Sequence, residues 1–376
     1  MRRTQSLATR WPTRSCAVFA AATMFAMYPA AAEIAEGTPF GRAPLCEASA
    51  ALIVDCPGSS GSCLLVGDNE QEASLFWFRL DGTPLHDAKQ HTLELERQMI
   101  GDIEALATLR DGRIAVFGSH SRDKNCTGEK SRRTFGVIDE LTKGSAKIRV
   151  RKPTSVRCDA LFGTRVPQGS LTAAACTAIA DAEKDANKAA NDETKCNGAH
   201  AFNAEGAVNI PRGRDPNIWI GLRAPLLTKH PQEKGRSDLA MLLHLRDLQH
   251  YRFDRVALLD LGGRGIRELA YTDDGVVWLI AGPPHDLRET QSKELWQDKK
   301  APFRLMRFQA AELNTEKIIV PEQLQDLPPS SEGLAVYGKT IFVLQDGSKP
   351  DKDKDKDRCV DPARYLTLPR PPAISR

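Results

Sequence analysis

Four stretches of this chain share one short grammar, and a repeat constrains a fold more tightly than any single motif. They run Asp102-Ile103-Glu104-Ala105-Leu106-Ala107 to Ile114–Gly118, Ala204-Glu205-Gly206-Ala207-Val208 to Ile218–Gly221, Gly265-Ile266-Arg267-Glu268-Leu269-Ala270 to Val276–Gly282, and Ser331-Glu332-Gly333-Leu334-Ala335-Val336 to Ile341–Leu344. Each has a charged residue, a short apolar run, a turn and a second β-rich run. Asp111-Gly112, Asp274-Gly275 and Tyr337-Gly338-Lys339 fall between the paired runs, where glycine supplies the positive φ that a tight hairpin needs. A fainter copy runs from Cys46-Glu47-Ala48 to Leu64–Asp68. The leading charges Glu47, Glu104, Glu205, Arg267 and Glu332 are 57, 101, 62 and 65 residues apart, and the long gap leaves room for a degenerate unit near Val156–Phe162 plus an insertion.

A hairpin of this kind cannot bury both faces alone, so such units stabilise one another by packing around an axis. The expected fold is all-β, a β-propeller of five or six four-stranded blades with a small helical insertion. Leu75–Leu80, Phe135–Ile138, Met241–Leu245 and Phe303–Phe308 are candidates for the outer strands. A two-sheet sandwich with coincidental spacing is the alternative. Thr172–Asn197, rich in Ala, Asp, Lys and Asn, reads as a polar surface helix or a loop, and 348–376 as a C-terminal tail. Within that tail, Asp351–Asp357 alternates Asp and Lys without the central Gly and terminal Glu of a calcium loop.

Residues 1–32 read as a secretory signal: Arg2, Arg3, Arg10 and Arg14 precede an apolar stretch, Ser15–Tyr28, that ends near Ala30-Ala31-Ala32. The stretch is too short to span a bilayer. Removal would leave one propeller domain, 33–376, without a membrane span, in the periplasm or outside the cell. The chain's +3 includes those four arginines and no signal acid, so the remainder carries −1. That balance argues against nucleic acid as a partner. Eight of the nine cysteines lie beyond the signal, an even number without zinc-type spacing, which favours disulfides. Cys176 with Cys196 would staple the insertion, and Cys359 with an N-terminal cysteine would tie the chain ends.

If the first strand of each unit is innermost, the leading charges converge on a channel mouth. A ring of like charges needs counter-charge. The candidate catalytic set is Glu104, His120, Glu205 and Glu332; Asp68, Arg223, Arg264, Arg267 and Asp346 are candidate ligand contacts. Carboxylates and arginines together suit a bidentately gripped anion or a calcium held by carboxylate oxygens. The structural alternatives are strand-capping glutamates, arginines that only neutralise them, and a hydrogen-bonded loop histidine at 120. G-x-S-x-G, H-E-x-x-H and nucleotide-loop patterns are absent.

Asp102–Leu106, Gly118-Ser119-His120-Ser121, Glu205-Gly206-Ala207, Gly221-Leu222-Arg223-Ala224-Pro225-Leu226, Leu261–Arg267 and Ser331-Glu332-Gly333-Leu334 together resemble domain-of-unknown-function family 3616, from about Leu45 to Gly347. The E-G-L-A units also resemble those of phytase-like and esterase-like propellers. The resemblance implies a propeller fold and, through the phytase-like likeness, calcium-assisted attack on phosphate esters; here, arginines and His120 stand where a calcium-rich site would carry acids. The expected function is an exported propeller whose channel mouth takes a small anion or an envelope partner. A calcium-assisted hydrolase of phosphate or carboxylate esters is the alternative.

Overall fold

Among the described residues, twenty strands form five four-stranded antiparallel blades whose innermost strands close a ring, in a computed structural model. It describes residues 37–40, 45–96, 99–151, 155–192, 195–196, 201–211, 217–233, 235–284, 303–347 and 359–374. The expected signal peptide and the Asp-Lys run lie outside these.

The first strand in the chain, β1 (Thr38–Pro39), belongs to the last blade. Blade 1 follows as β2 (Ala48–Asp55), β3 (Ser62–Asp68), β4 (Ser74–Arg79) and β5 (His91–Leu95). Blade 2 is β6 (Ile103–Thr108), β7 (Ile114–Gly118), β8 (Phe135–Leu141) and β9 (Ser145–Val150). Then come helices α1 (Cys158–Phe162) and α2 (Leu171–Lys188). Blade 3 is β10 (Asn203–Asn209), β11 (Ile218–Ala224), β12 (Ala240–Asp247) and β13 (Arg252–Leu259). Blade 4 is β14 (Gly265–Thr272), β15 (Val276–Gly282), β16 (Phe303–Gln309) and β17 (Glu322–Leu327). Blade 5 is β18 (Ser331–Tyr337), β19 (Thr340–Gln345) and β20 (Arg364–Pro369), completed by β1 pairing with β20. The segment expected as a tail therefore supplies a strand, and the N-terminal strand closes the ring. The anticipated outer strands are the third strands β4, β8, β12 and β16.

Inner strands meet in the order β2, β6, β10, β14, β18 and back to β2. Each hydrophobic core lies between neighbouring blades, as with Phe117 and Tyr251 between blades 2 and 3 or Trp278 and Leu334 between blades 4 and 5. A blade in this position is covered on both faces, so β15 reads Val-Val-Trp-Leu-Ile-Ala-Gly and is buried throughout instead of alternating. The outermost β17, Glu-Gln-Leu-Gln-Asp-Leu, is largely exposed. Blades 1 and 2 are also joined at their rims, where β5 and β9 pair in parallel.

Two expectations are corrected here, and the insertion takes the helical one of its two expected forms. Val156–Phe162 forms no blade: it contains α1, which packs with α2 on β13. The insertion is helical over Leu171–Lys188, capped by the Ser170 hydroxyl accepting the Ala173 N–H at 3.1 Å, with Ala175, Ile179, Ala182 and Ala186 buried. Cys176 pairs with Cys158 and Cys196 with Cys126. A helix rises about 1.5 Å per residue, so Cys176 sits about 18 Å from the helix end, and there it meets the cysteine of α1. The other bridges are Cys56–Cys63 and Cys46–Cys359, the latter joining the chain ends as expected. Four disulfides suit an oxidising compartment. Among the described residues no helix is long and apolar enough to cross a membrane.

One close approach fixes how blade 4 abuts blade 3. A Cβ on Gly265 would lie 2.1 Å from the Arg223 carbonyl oxygen. Gly265→Ala should therefore force the strands apart and destabilise by about 2 kcal/mol, seen as a lower urea midpoint with unchanged slope.

Candidate functional site

The site begins with a backbone irregularity. In every inner strand the ladder skips one residue: between Ala48 and Ala50, Ile103 and Ala105, Ala204 and Gly206, Ile266 and Glu268, and Ser331 and Gly333. A β-bulge re-aims the extra side chain, and the five extra residues are Ser49, Glu104, Glu205, Arg267 and Glu332. Sequence spacing put Glu47 in this set. The bulge register puts Ser49 there, its hydroxyl donating to the Ile103 carbonyl.

Arg267 is the centre of the cluster. It is 4% exposed, its Nε lies 2.9 Å from Glu205 Oε2, and its Nη2 contacts Glu332 Oε1. One guanidinium thus joins blades 3, 4 and 5. Arg223, at the end of β11, donates from Nη1 to Glu205 Oε1 at 2.9 Å, and Asn203 Nδ2 donates to the same oxygen at 2.9 Å. Burial pushes the Glu104 carboxyl well above the ordinary carboxylate range; Asp102 and Glu205 push the same way, and Arg267 and Arg223 oppose them. Asp346 is raised by burial and by Glu104, Glu47 and Asp68, against Arg267. Burial and Arg223 bring the Arg267 guanidinium down to about 10. Glu104, Glu205, Glu332, Arg223, Arg267 and Asp346 therefore share one axial site.

Three candidates play other parts. Asp68 accepts the backbone N–H groups of Cys46 (2.7 Å), Glu47 (3.2 Å) and Glu70 (2.9 Å), and so fixes the loop entering β2. Arg264 is buried with its Nη1 donating to Leu261 O at 3.4 Å; its charged neighbours are Arg304 and Asp326 of the outer strands. His120 lies in the core between blades 2 and 3, stacked on Tyr251 at 4.3 Å with Phe202 at its edge and Nδ1 2.9 Å from Gly118 O. Burial lowers its pKa to about 4.

That burial predicts an acid sensitivity. The unfolded chain takes up a proton near pH 6.5 that the folded chain refuses until about 4. Stability should therefore be full above pH 6.5 and fall by about 3 kcal/mol as pH drops through this window. Asn accepts the left-handed backbone at this position, φ 59°. His120→Asn should flatten this part of the pH–stability curve.

Two parts of the site escape the repeat reasoning. Asp102, quoted only as a strand opener, accepts Ser121 Oγ at 3.0 Å and pairs with Arg132 at 3.1 Å, forming a flank beside Glu104. Glu268 is wholly buried, and its carboxyl accepts backbone N–H groups of Leu269 at 2.9 Å and Ala51 at 3.3 Å, with Ala207 a third donor. It thus spans from blade 4 to the inner strands of blades 1 and 3. Burial raises it well above the ordinary range. Alignment on the residue after the bulge reveals it: Ala50, Ala105, Gly206 and Gly333 are small, and only blade 4 carries a long side chain there.

Calcium does not fit this cluster. The Arg267 guanidinium stands between Glu205 and Glu332, so these two carboxylates are not arranged to share a metal ion. Among the described residues no three His, Cys, Asp or Glu side chains converge as metal donors.

Fold and site define a five-bladed β-propeller with an axial acid–arginine cluster raised on repeated bulges. Residues 193–360 match the family described as protein of unknown function (DUF3616). No curated protein matches the chain. Among solved structures, it is similar to a luciferin-regenerating enzyme (10% identity, 88% of this chain and 95% of that one, TM-score 0.36). It is also similar to an exo-β-1,3-galactanase from Clostridium thermocellum (10%, 89% and 62%, TM-score 0.41). A third is a β-xylosidase/α-arabinofuranosidase from a compost metagenome (8%, 90% and 94%, TM-score 0.40).

Proposed function

We propose that this chain is an exported binding propeller whose acidic channel mouth engages a cationic group, on a small molecule or on an envelope partner's loop. The observation that carries the reading is charge balance. Among the described residues, Asp102, Glu104, Glu205, Glu332 and Asp346 meet Arg132, Arg223 and Arg267 in the linked network. The raised Glu104 and Asp346 carboxyls both reflect burial with other acids nearby. A cation relieves that repulsion, whereas the small anion expected from sequence would have to take Arg223 and Arg267 away from Glu205 and Glu332.

A second reading, a metal-independent hydrolase, is favoured by one pairing: Glu104 held towards its protonated form beside the ion-paired Glu205, a split between acid and base. Melting the mature protein with spermidine, arginine, calcium and phosphate tests the first reading. A ligand at roughly 100 times its Kd adds about 2.7 kcal/mol. Organic cations should raise Tm by several degrees, and Asp346→Asn should remove the shift. Stabilisation by phosphate alone would favour the anion. Turnover across a panel of chromogenic esters, lost in Glu104→Gln, would favour the hydrolase.

A further inference from the structure

The helical insertion is not needed to close the wheel, yet two disulfides hold it in place, Cys158–Cys176 and Cys126–Cys196. Against blade 2 it encloses a cavity of about 470 Å³. One wall is a single face of α2, where Ala180, Glu183, Lys184 and Asn187 follow helical spacing. Arg122 and Arg133, from the connection between β7 and β8, face it, and the lead into α1 supplies Arg157 and Asp159.

Four basic and two acidic side chains line this space. Arg122 is held by Glu183 at 2.6 Å and Arg157 by Asp159 at 3.1 Å, so both acids are already taken. Among the described residues, Arg133 and Lys184 form no ion pair. Arg133 Nε is shut off from solvent with no hydrogen-bond partner. Its Nη2 fills the space that a side chain on Gly128 would take, so the backbone itself seats this guanidinium. A desolvated donor left without an acceptor is costly unless a ligand supplies one.

We propose that this cavity is a second binding site, for a small phosphate monoester. Two uncompensated positive charges match a dianion, and the guanidinium offers a phosphate paired donors. A monocarboxylate would leave one cation unanswered. The volume is that of about fifteen water-sized groups, about three times a bare phosphate, so the ligand carries a body beyond its anion. The Ser155 hydroxyl and the Asn187 amide suit a hydroxylated body. This site is separate from the axial mouth: Arg132 pairs with Asp102 there, while Arg133, next in the chain, lines this cavity. Either site can fail while the other stands.

Isothermal titration of the mature protein with glucose 6-phosphate, glycerol 3-phosphate, inorganic phosphate, glucose and acetate tests it. The two esters should bind more tightly than inorganic phosphate, and glucose and acetate should not bind. Arg133→Gln and Lys184→Gln should each weaken the esters at least about tenfold. Arg133→Lys should not restore them, because an ammonium cannot present paired donors. Should Arg133→Gln fail to fold, Lys184→Glu, at an exposed position of α2, decides, and it should abolish binding. No binding of either ester, or affinity unmoved by these substitutions, overturns the proposal. So does binding lost in Arg223→Gln and kept in Arg133→Gln, which would place the anion at the axial mouth. Vesicles containing phosphatidic acid should not sediment the protein; capture by them without ester binding would give the site to a lipid surface and overturn the proposal as well.

Discussion

Replacing Arg267 by methionine is expected to destabilise the protein by about 3–5 kcal/mol, the largest effect of any single substitution in the axial cluster. The guanidinium is 4% exposed and touches carboxylates from two other blades. Methionine fills much of the same volume but leaves Glu205 and Glu332 buried without their cation, and an uncompensated buried charge produces a loss of about that size. Removing the acids as well, with Glu205→Gln and Glu332→Gln in the same chain, should recover a large part of it. Urea denaturation checks both expectations. A loss below about 1 kcal/mol for Arg267→Met would mean that water already screens these carboxylates.

Converting Cys46 and Cys359 together to serine should cost about 5 kcal/mol, because this bridge closes a loop of 313 residues and chain-entropy stabilisation grows with loop length. The bridge has a neighbour in the same task. β1 pairs with β20 beside it, the Ala363 N–H donates to Leu45 O at 3.1 Å, and the Gly347 N–H donates to Cys46 O at 2.9 Å. Two residues of strand pairing are too few to hold a ring shut alone, so blades 5 and 1 should separate first when the bridge is gone. Removing Cys56–Cys63, only seven residues apart, should cost about 2 kcal/mol. Thermal melts of the two double variants, with hydrogen exchange at blade 5, separate the effects.

The hairpins and third strands were legible because strand pairs of a propeller are local and their turns have a residue chemistry. Asp111-Gly112 and Asp274-Gly275 carry positive-φ glycines, at 82° and 83°. The charged leaders were legible as a set, and four of the five hold the positions that spacing implied. The fifth moved because a bulge adds a residue without changing the hydrophobic pattern around it; a charge two positions away, Glu47, then imitates the period while Ser49 holds the place. Glu268 escapes the repeat for a related reason: it stands next to Arg267 in the chain, and only the register shows that the other blades carry Ala or Gly there. His120 looked available because it follows Gly118-Ser119 after a strand; its left-handed backbone turns the ring inward onto Tyr251. The helical insertion occupied sequence space that spacing assigned to a sixth blade. Disulfide partners depend on where helices end in space, and no spacing rule reports that.

The central claim is that bulges on different blades deliver their side chains to one shared cluster, and a double-mutant cycle between Arg267 on blade 4 and Glu332 on blade 5 tests it most directly. Stability would be measured by urea denaturation for the unaltered chain, Arg267→Met, Glu332→Gln and the pair. The two residues in contact should show a coupling of at least about 1 kcal/mol. Additive effects, within about 0.5 kcal/mol, would mean that the two side chains do not meet and that the wheel does not gather its charges at the axis.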